Sequence, residues 1–246
     1  MQLAAHNRLR MITGFFYAAL LALAVTVLAV ACSEKEATEL STENGVSDSF
    51  TFFELGGNSE LTKAVRRQLS NQLGRDAIEY RSVLDLEINY PGFLKAHFPH
   101  LDKLNQKLNF PPRERIEHNA VKLMYRYAQK KNVPFDYVEL VFSNYNRNPI
   151  LFRIHFKKDE SNIINTLKEK YGNPKKIAWD EAKGTSLYWT KAKDELIVSL
   201  VPDRYGDSEY QIVIFFTENL NHIIQTEAAE KQAREQQRAR SGKGAF

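Results

Sequence analysis

The chain has 246 residues, 43% of them hydrophobic and 26% charged, with one cysteine and a formal charge of +4. That length supports one good-sized domain or two small ones and buries ~70% of the surface the unfolded chain exposes. A single cysteine excludes an intrachain disulfide framework, and so slight a basic surplus gives no electrostatic footprint for nucleic acid.

Residues 1–14 carry Arg8 and Arg10 and no acid, and Phe15 to Val30 follow as a run without Gly, Pro or charge. A membrane span needs ~20 apolar residues, and this run falls short by about a turn. Ala29, Val30 and Ala31 supply the small residues that a signal peptidase fits, with Cys32 directly behind them. Three readings follow: an uncleaved anchor, secretion after cleavage behind Ala31, or lipidation of Cys32.

The stretch Ala29-Val30-Ala31-Cys32 resembles the lipobox of bacterial lipoproteins, with Ala29 where the commonest pattern has Leu. The resemblance implies a signal peptide over residues 1–31 and a diacylated Cys32 that becomes the mature N-terminus and is then N-acylated. It also implies a periplasm-facing protein of the cell envelope, and Ser33 is compatible with sorting to the outer rather than the inner membrane. A lone cysteine without a disulfide partner, placed just behind such a site, favours lipidation over the other two readings. Several acyl chains on one residue make a durable tether. The membrane, through acylated Cys32, is then one partner and an envelope protein a second. Nucleic acid is not expected as a partner, nor is any cofactor.

Residues 32–49 are mostly polar, with few large apolar side chains, and read as a flexible tether. An α+β domain is expected over 50–226, with a helix-rich stretch at 50–133 and a sheet-rich one at 134–226. Ser59 is a candidate N-cap for a helix with Leu61, Val65, Leu69 and Leu73 along one stripe and Gly74 at its end. Leu84, Leu86, Ile88 and Tyr90 alternate with polar residues, which predicts a half-buried strand over 83–90 stopped by Pro91-Gly92. Helical spacing returns over 93–109, with a break expected at Pro99. Ile116, Ala120, Leu123, Met124 and Tyr127 predict a helix over 113–131, paired with its predecessor as an αα-hairpin.

Strands are expected at 136–143 and 150–156, then a helix capped by Asp159 or Ser161 that carries Ile163, Ile164, Leu167 and Tyr171 and stops at Gly172. Further strands near 176–180, 185–191, 195–201 and 209–216 complete a mainly antiparallel sheet. The last is apolar on both faces, which predicts a central position. A shift of 60 residues superposes nine identical pairs, among them Val138 on Val198, Ile154 on Ile214 and Ile163 on Ile223. Such self-similarity suggests a partial internal β-β-α repeat. The flanks disagree, because the helix expected at 113–131 falls opposite strands. Residues 227–246 read as a charged tail that frays at its end, with Glu227/Lys231 and Glu230/Arg234 supporting an exposed helix.

Little chemistry is written in the chain. His97-x-x-His100, with Asp102 close by and His118 available, is the nearest approach to a metal site, and Pro99 separates the two histidines. No zincin, nucleophile-elbow, Walker or dinucleotide-binding pattern occurs. Lys157, Lys158, Lys168, Lys170, Lys175 and Lys176 flank the helix after residue 160 as a basic but interleaved rim. Trp179, Tyr188, Trp189, Tyr205 and Tyr210 read as core aromatics or the lining of a cleft. The expected function is a non-catalytic interaction or binding module of the envelope. An envelope hydrolase with a noncontiguous site, or a small-ligand carrier, is the alternative.

Overall fold

Residues 49–157, 162–179, 184–202 and 208–243 are described by the computed structural model. The first half contains helix α1 (Lys63–Leu73), strand β1 (Ala77–Ser82), two short helices α2 (Phe93–His97) and α3 (Pro99–Leu108), then β2 (His118–Tyr125), β3 (Tyr137–Ser143) and β4 (Pro149–Phe156). The second half contains α4 (Ile163–Tyr171), β5 (Lys175–Ala178), β6 (Thr185–Lys191), β7 (Asp194–Pro202), β8 (Ser208–Phe215) and the long α5 (Thr217–Lys243). All eight strands join one antiparallel sheet in the order β1-β2-β3-β4-β8-β7-β6-β5. The α+β class expected from the sequence is the class observed.

Strand alternation sends apolar side chains to both faces of this sheet. One face carries Leu140, Phe152, Ile154, Ile212 and Ile214 and is covered by α1, α4 and the segment around Phe50. The other carries Val141, Leu151, Ile197, Val213 and Phe215 and is covered by residues 84–108 and α5. β8 contributes to both, as its sequence predicts, and lies inside the sheet between β4 and β7. A sheet covered on both sides favours strands that are apolar throughout.

The helix expected over 113–131 is not formed: β2 occupies 118–125 and a 3-10 turn follows at Ala128–Lys131. β2 is hydrogen-bonded to β1 and β3 and buried on both faces, so its strand alternation is blurred and its apolar residues can be fitted to a helical stripe. The helical fit buried Tyr127, which is 64% exposed. There is consequently no αα-hairpin there.

The strand expected at 83–90 is also corrected. Leu84, Leu86 and Ile88 are buried as their alternation requires, but the segment joins no ladder. Side chains take its backbone bonds instead: Leu86 N–H donates to Asn105 Oδ1 (2.9 Å), and Asn109 Nδ2 donates to the Leu84 carbonyl (3.1 Å). The paired strand is β1, just upstream.

Helix boundaries follow local chemistry. α1 starts three residues later than Ser59 suggests, because Thr62 Oγ1 accepts from Val65 N–H (3.1 Å) while Ser59 Oγ is occupied by Gly56 N–H (2.9 Å). Gly74, at φ +92°, closes it as expected. The helical stretch after Pro91-Gly92 divides at Phe98, one residue before the proline. Asp159 and Ser161, the expected caps of α4, lie outside the described residues, and Gly172 ends that helix.

The two halves share a topology. Each runs four consecutive antiparallel strands followed by a helix, and they meet at β4 and β8. With β2 formed, the flanks agree in the order of their strands, although an offset of 60 carries β2 to the junction of β5 and β6 and not onto β6. At the seam, Phe152 pairs with Ile214 and Ile154 with Ile212, so an offset of 60 exchanges one pair for the other. Elsewhere the ungapped offset keeps the faces but not the partners: Val138 pairs with Ile154, whereas Val198 pairs with Ile212. The helices diverge further, α4 covering one face and α5 the other. The outer strands are both short. β1 has a register irregularity between Tyr80 and Ser82, with Arg81 at φ +62°, and β5 presents exposed Lys175 and Lys176.

Gly184 is fixed by its neighbour, since a Cβ built there would fall on the six-membered ring of Trp179. That ring packs near Tyr90 and Phe93, and its Nε1–H donates to Ser186 Oγ (3.1 Å). Gly184→Ala should therefore cost ~1–3 kcal/mol by overpacking and change the Trp179 emission. Thermal unfolding and intrinsic fluorescence check this; an unchanged Tm would contradict it.

Candidate binding groove

The last turn of α3, the crossing at 109–117 and α5 surround an open groove of about 890 Å3. Asn109 ends α3 and uses its side-chain amide to hold Leu84 and Asn105, which fixes where the crossing departs. Next to it, Phe110 is 73% exposed. Pro111, Ile116 and Ile224 continue the apolar lining, while Lys103, Lys107, Lys231 and Glu114 form its polar margin. A second recess of about 520 Å3, with Arg81, Tyr145, Arg234 and Arg238, shares Ile116, Glu227 and Lys231 with the first. The two form one trough along α5.

A clamp at the floor holds α5 in place. His118, the first residue of β2, is buried, and its Nε2–H donates to the Leu108 carbonyl (3.0 Å). Its Nδ1 lies 2.7 Å from Glu227 Oε2, and Asn119 N–H donates to Glu227 Oε1 (2.8 Å). One carboxylate thus ties α5 to the start of β2, and one imidazole ties β2 to the end of α3. Beyond Glu227, residues 228–241 of the helix are all exposed. The helix itself runs on to Lys243. Tyr145 OH donates to Glu230 (3.0 Å), the last side-chain bond between helix and body among the described residues.

Two other polar clusters lie on the sheet. Glu79, Lys122, Glu139 and Arg153 lie side by side across β1 to β4, at 3.9, 3.9 and 3.0 Å in succession. Tyr137 OH also donates to Glu139, and Arg153 donates to the Asp85 carbonyl. This strip ties four strands together.

On β7, burial pushes the Glu195 carboxyl up to about 7, against the attraction of Lys175 and a hydrogen bond from Thr190 (2.8 Å). His100 stands 3.6 Å from it, and burial lowers the pKa of that imidazole. Both groups are displaced toward their neutral forms, so this contact is a poor ion pair at neutral pH.

The residues singled out in sequence disperse. Cys32, Ala29, Val30 and Ala31 lie outside the described residues. His97 contacts Tyr90 OH (3.3 Å) while His100 faces Glu195, Asp102 accepts from Gln106 and His118 sits in the clamp. Among the described residues no group of three His, Cys, Asp or Glu side chains is placed to hold a metal. Trp179, Trp189 and Tyr210 belong to the two cores, and Tyr205 lies outside the described residues. Lys170 donates to Thr51 Oγ1 (2.7 Å), so part of the basic rim serves packing. The sequence reading does not include Phe110 and takes Glu227 only as a partner of Lys231; the signal available was a large apolar residue beside Pro111-Pro112, in a crossing that should be polar.

Comparison with protein-family models, curated protein sequences and solved structures finds no match for this chain. Among the described residues no helix is long and apolar enough to cross a membrane.

Two expectations follow. Glu227→Ala leaves the buried His118 Nδ1 without its partner and the Asn119 N–H without its acceptor. It should cost ~1–3 kcal/mol and raise amide exchange at the start of β2 and in α5. Exchange unchanged around Asn119 would remove the clamp. For Glu195 the folded state holds a proton more tightly than the unfolded chain, whose value is near 4.5. Stability must then fall as pH rises from ~4.5 to ~7 and stay low above that. Glu195→Gln should leave stability at pH 5 nearly unchanged and raise it by ~2–3 kcal/mol at pH 8. Denaturant midpoints at the two pH values measure the difference.

Proposed function

We propose that this chain is a lipid-anchored protein of the bacterial cell envelope whose folded domain is a non-catalytic docking module. The observation that carries the docking reading is Phe110, a large apolar side chain 73% exposed within an open groove lined by Pro111, Ile116 and Ile224. An exposed aromatic costs solubility and gives the isolated fold nothing in return, so it fits a surface that is covered by a partner. The groove lies between helices and is open along its length, which supports docking over carriage of an enclosed ligand. Cys32 and the small residues before it support the anchor.

Two measurements test the two parts separately. Membrane-extracted wild-type protein should have the intact mass of residues 32–246 plus acyl chains, and Cys32→Ala should lose that form and leave the membrane fraction. An unmodified chain starting at Cys32 in the soluble fraction would contradict the anchor. For the groove, a photoreactive residue at position 110 should give a discrete cross-linked species in intact cells. The same residue at position 127, also exposed, should give none. Identical patterns at both positions would remove the docking reading.

A further inference from the structure

We infer that the groove takes an acidic amphipathic helix, a segment whose apolar stripe is flanked by carboxylates. This inference rests on the docking reading above and adds the chemistry of the occupant. Its basis is the arrangement of charge along the two walls.

On α3, Lys103 and Lys107 stand four residues apart and so share one side of the helix at the groove margin. On α5, Lys231, Arg234 and Arg238 follow one another at spacings of three and four, and all three line the connected recess. Like charges at these spacings repel; on α5 this is offset in part by Glu227 and Glu230, four residues before Lys231 and Arg234. Of the five, Arg234 has a carboxylate partner, Glu230 at 3.7 Å; no hydrogen bond or ion pair engages the other four cations among the described residues. Arg81, from the kinked end of β1, adds a further cation without a partner to the same recess.

The acidic residues of the trough are mostly spent. Glu227 is held by His118 and Asn119, Glu230 by Tyr145 and Arg234, and Glu117 by Arg115. Among the described residues the Glu114 and Glu235 carboxylates remain without a partner, against five cations in that state. Between the two cationic walls the floor is apolar, formed by Phe110, Ile116 and Ile224. An apolar strip bordered by cations on both sides is the complement of a helix with an apolar stripe and acidic flanks, read as anchors at i, i+3 or i+4 and i+7. The charges would act mainly on encounter rate and partner choice, and Phe110 on residence.

The test uses the full chain in neutral detergent and three designed peptides read by fluorescence anisotropy. One has leucines at helical spacing with glutamate flanks, the second has lysine in place of each glutamate, and the third keeps the acidic composition with the leucines scrambled. The acidic amphipathic peptide should bind at least ~tenfold tighter than either control and weaken as salt is raised. Phe110→Ala should cost that peptide ~tenfold, and Lys107→Glu with Arg238→Glu should reverse the preference between acidic and basic peptides. All of these positions are exposed, so the variants should keep the wild-type Tm.

Equal binding of the acidic and basic peptides, with both weakened by Phe110→Ala, would overturn the acidic occupant and leave the docking groove standing. No binding by any peptide together with no effect of Phe110→Ala would overturn both. Vesicles of phosphatidylcholine with phosphatidylglycerol, offered to Cys32→Ala protein, supply the remaining arm. Displacement of the acidic peptide by these vesicles, abolished by Lys107→Glu, would make this a lipid-facing surface and overturn the inference.

Discussion

The pairing of β4 with β8 is the constraint on which the whole molecule depends. Each half of the chain is a run of neighbours in sequence: four strands in order, each bonded to the one before it. Only at this seam do two of the described strands that are not consecutive in the chain share a ladder, Phe152 with Ile214 and Ile154 with Ile212. The seam is apolar toward both cores, so breaking it would expose two hydrophobic faces at once and leave two four-stranded sheets, each half covered. Closing a loop of this length is entropically costly, and the reward arrives only when both faces are sealed.

The groove is a product of that architecture at one remove. Residues 84–108 and α5 both lie on the face of Val213 and Phe215, and where they cannot meet a trough remains. Its walls are kept apart by the Leu108–His118–Glu227 chain of bonds, which sets the end of α3, the start of β2 and the departure of α5 at fixed distances. Hydrogen bonds that each contribute modestly gain importance here because they are buried and shared among three elements. The same residues that hold the fold together therefore define the width of the groove.

How much of this was legible in the sequence depended on how far apart the informative residues lay. Local signals held: Gly74 and Gly172 end their helices, Pro99 marks a break, and the doubly apolar β8 is interior. Signals that depend on neighbours misled. β2 was read at helical spacing because it is buried from both sides, and the alternation at 84–88 marked an extended segment whose bonds go to Asn105 and Asn109, not to a strand. The halves' likeness was visible as an offset of 60, yet the mistaken helix at 113–131 argued against it. The groove was invisible because Phe110, Ile116 and Ile224 come from separate segments, and because Glu227 stood in a stretch of charge with nothing to mark it as a clamp.

Eight strands in an open sheet leave two borders where backbone donors and acceptors face outward, a standing invitation to stack one molecule on the next. Here the chain closes both borders by its own means. At β1 the irregularity beside Tyr80 and the left-handed Arg81 interrupt the row of bonds, and at β5 a strand of four residues shows two lysines to any newcomer. Borders interrupted in this way offer little for a strand of a second molecule to add to, so the sheet ends at its own edges.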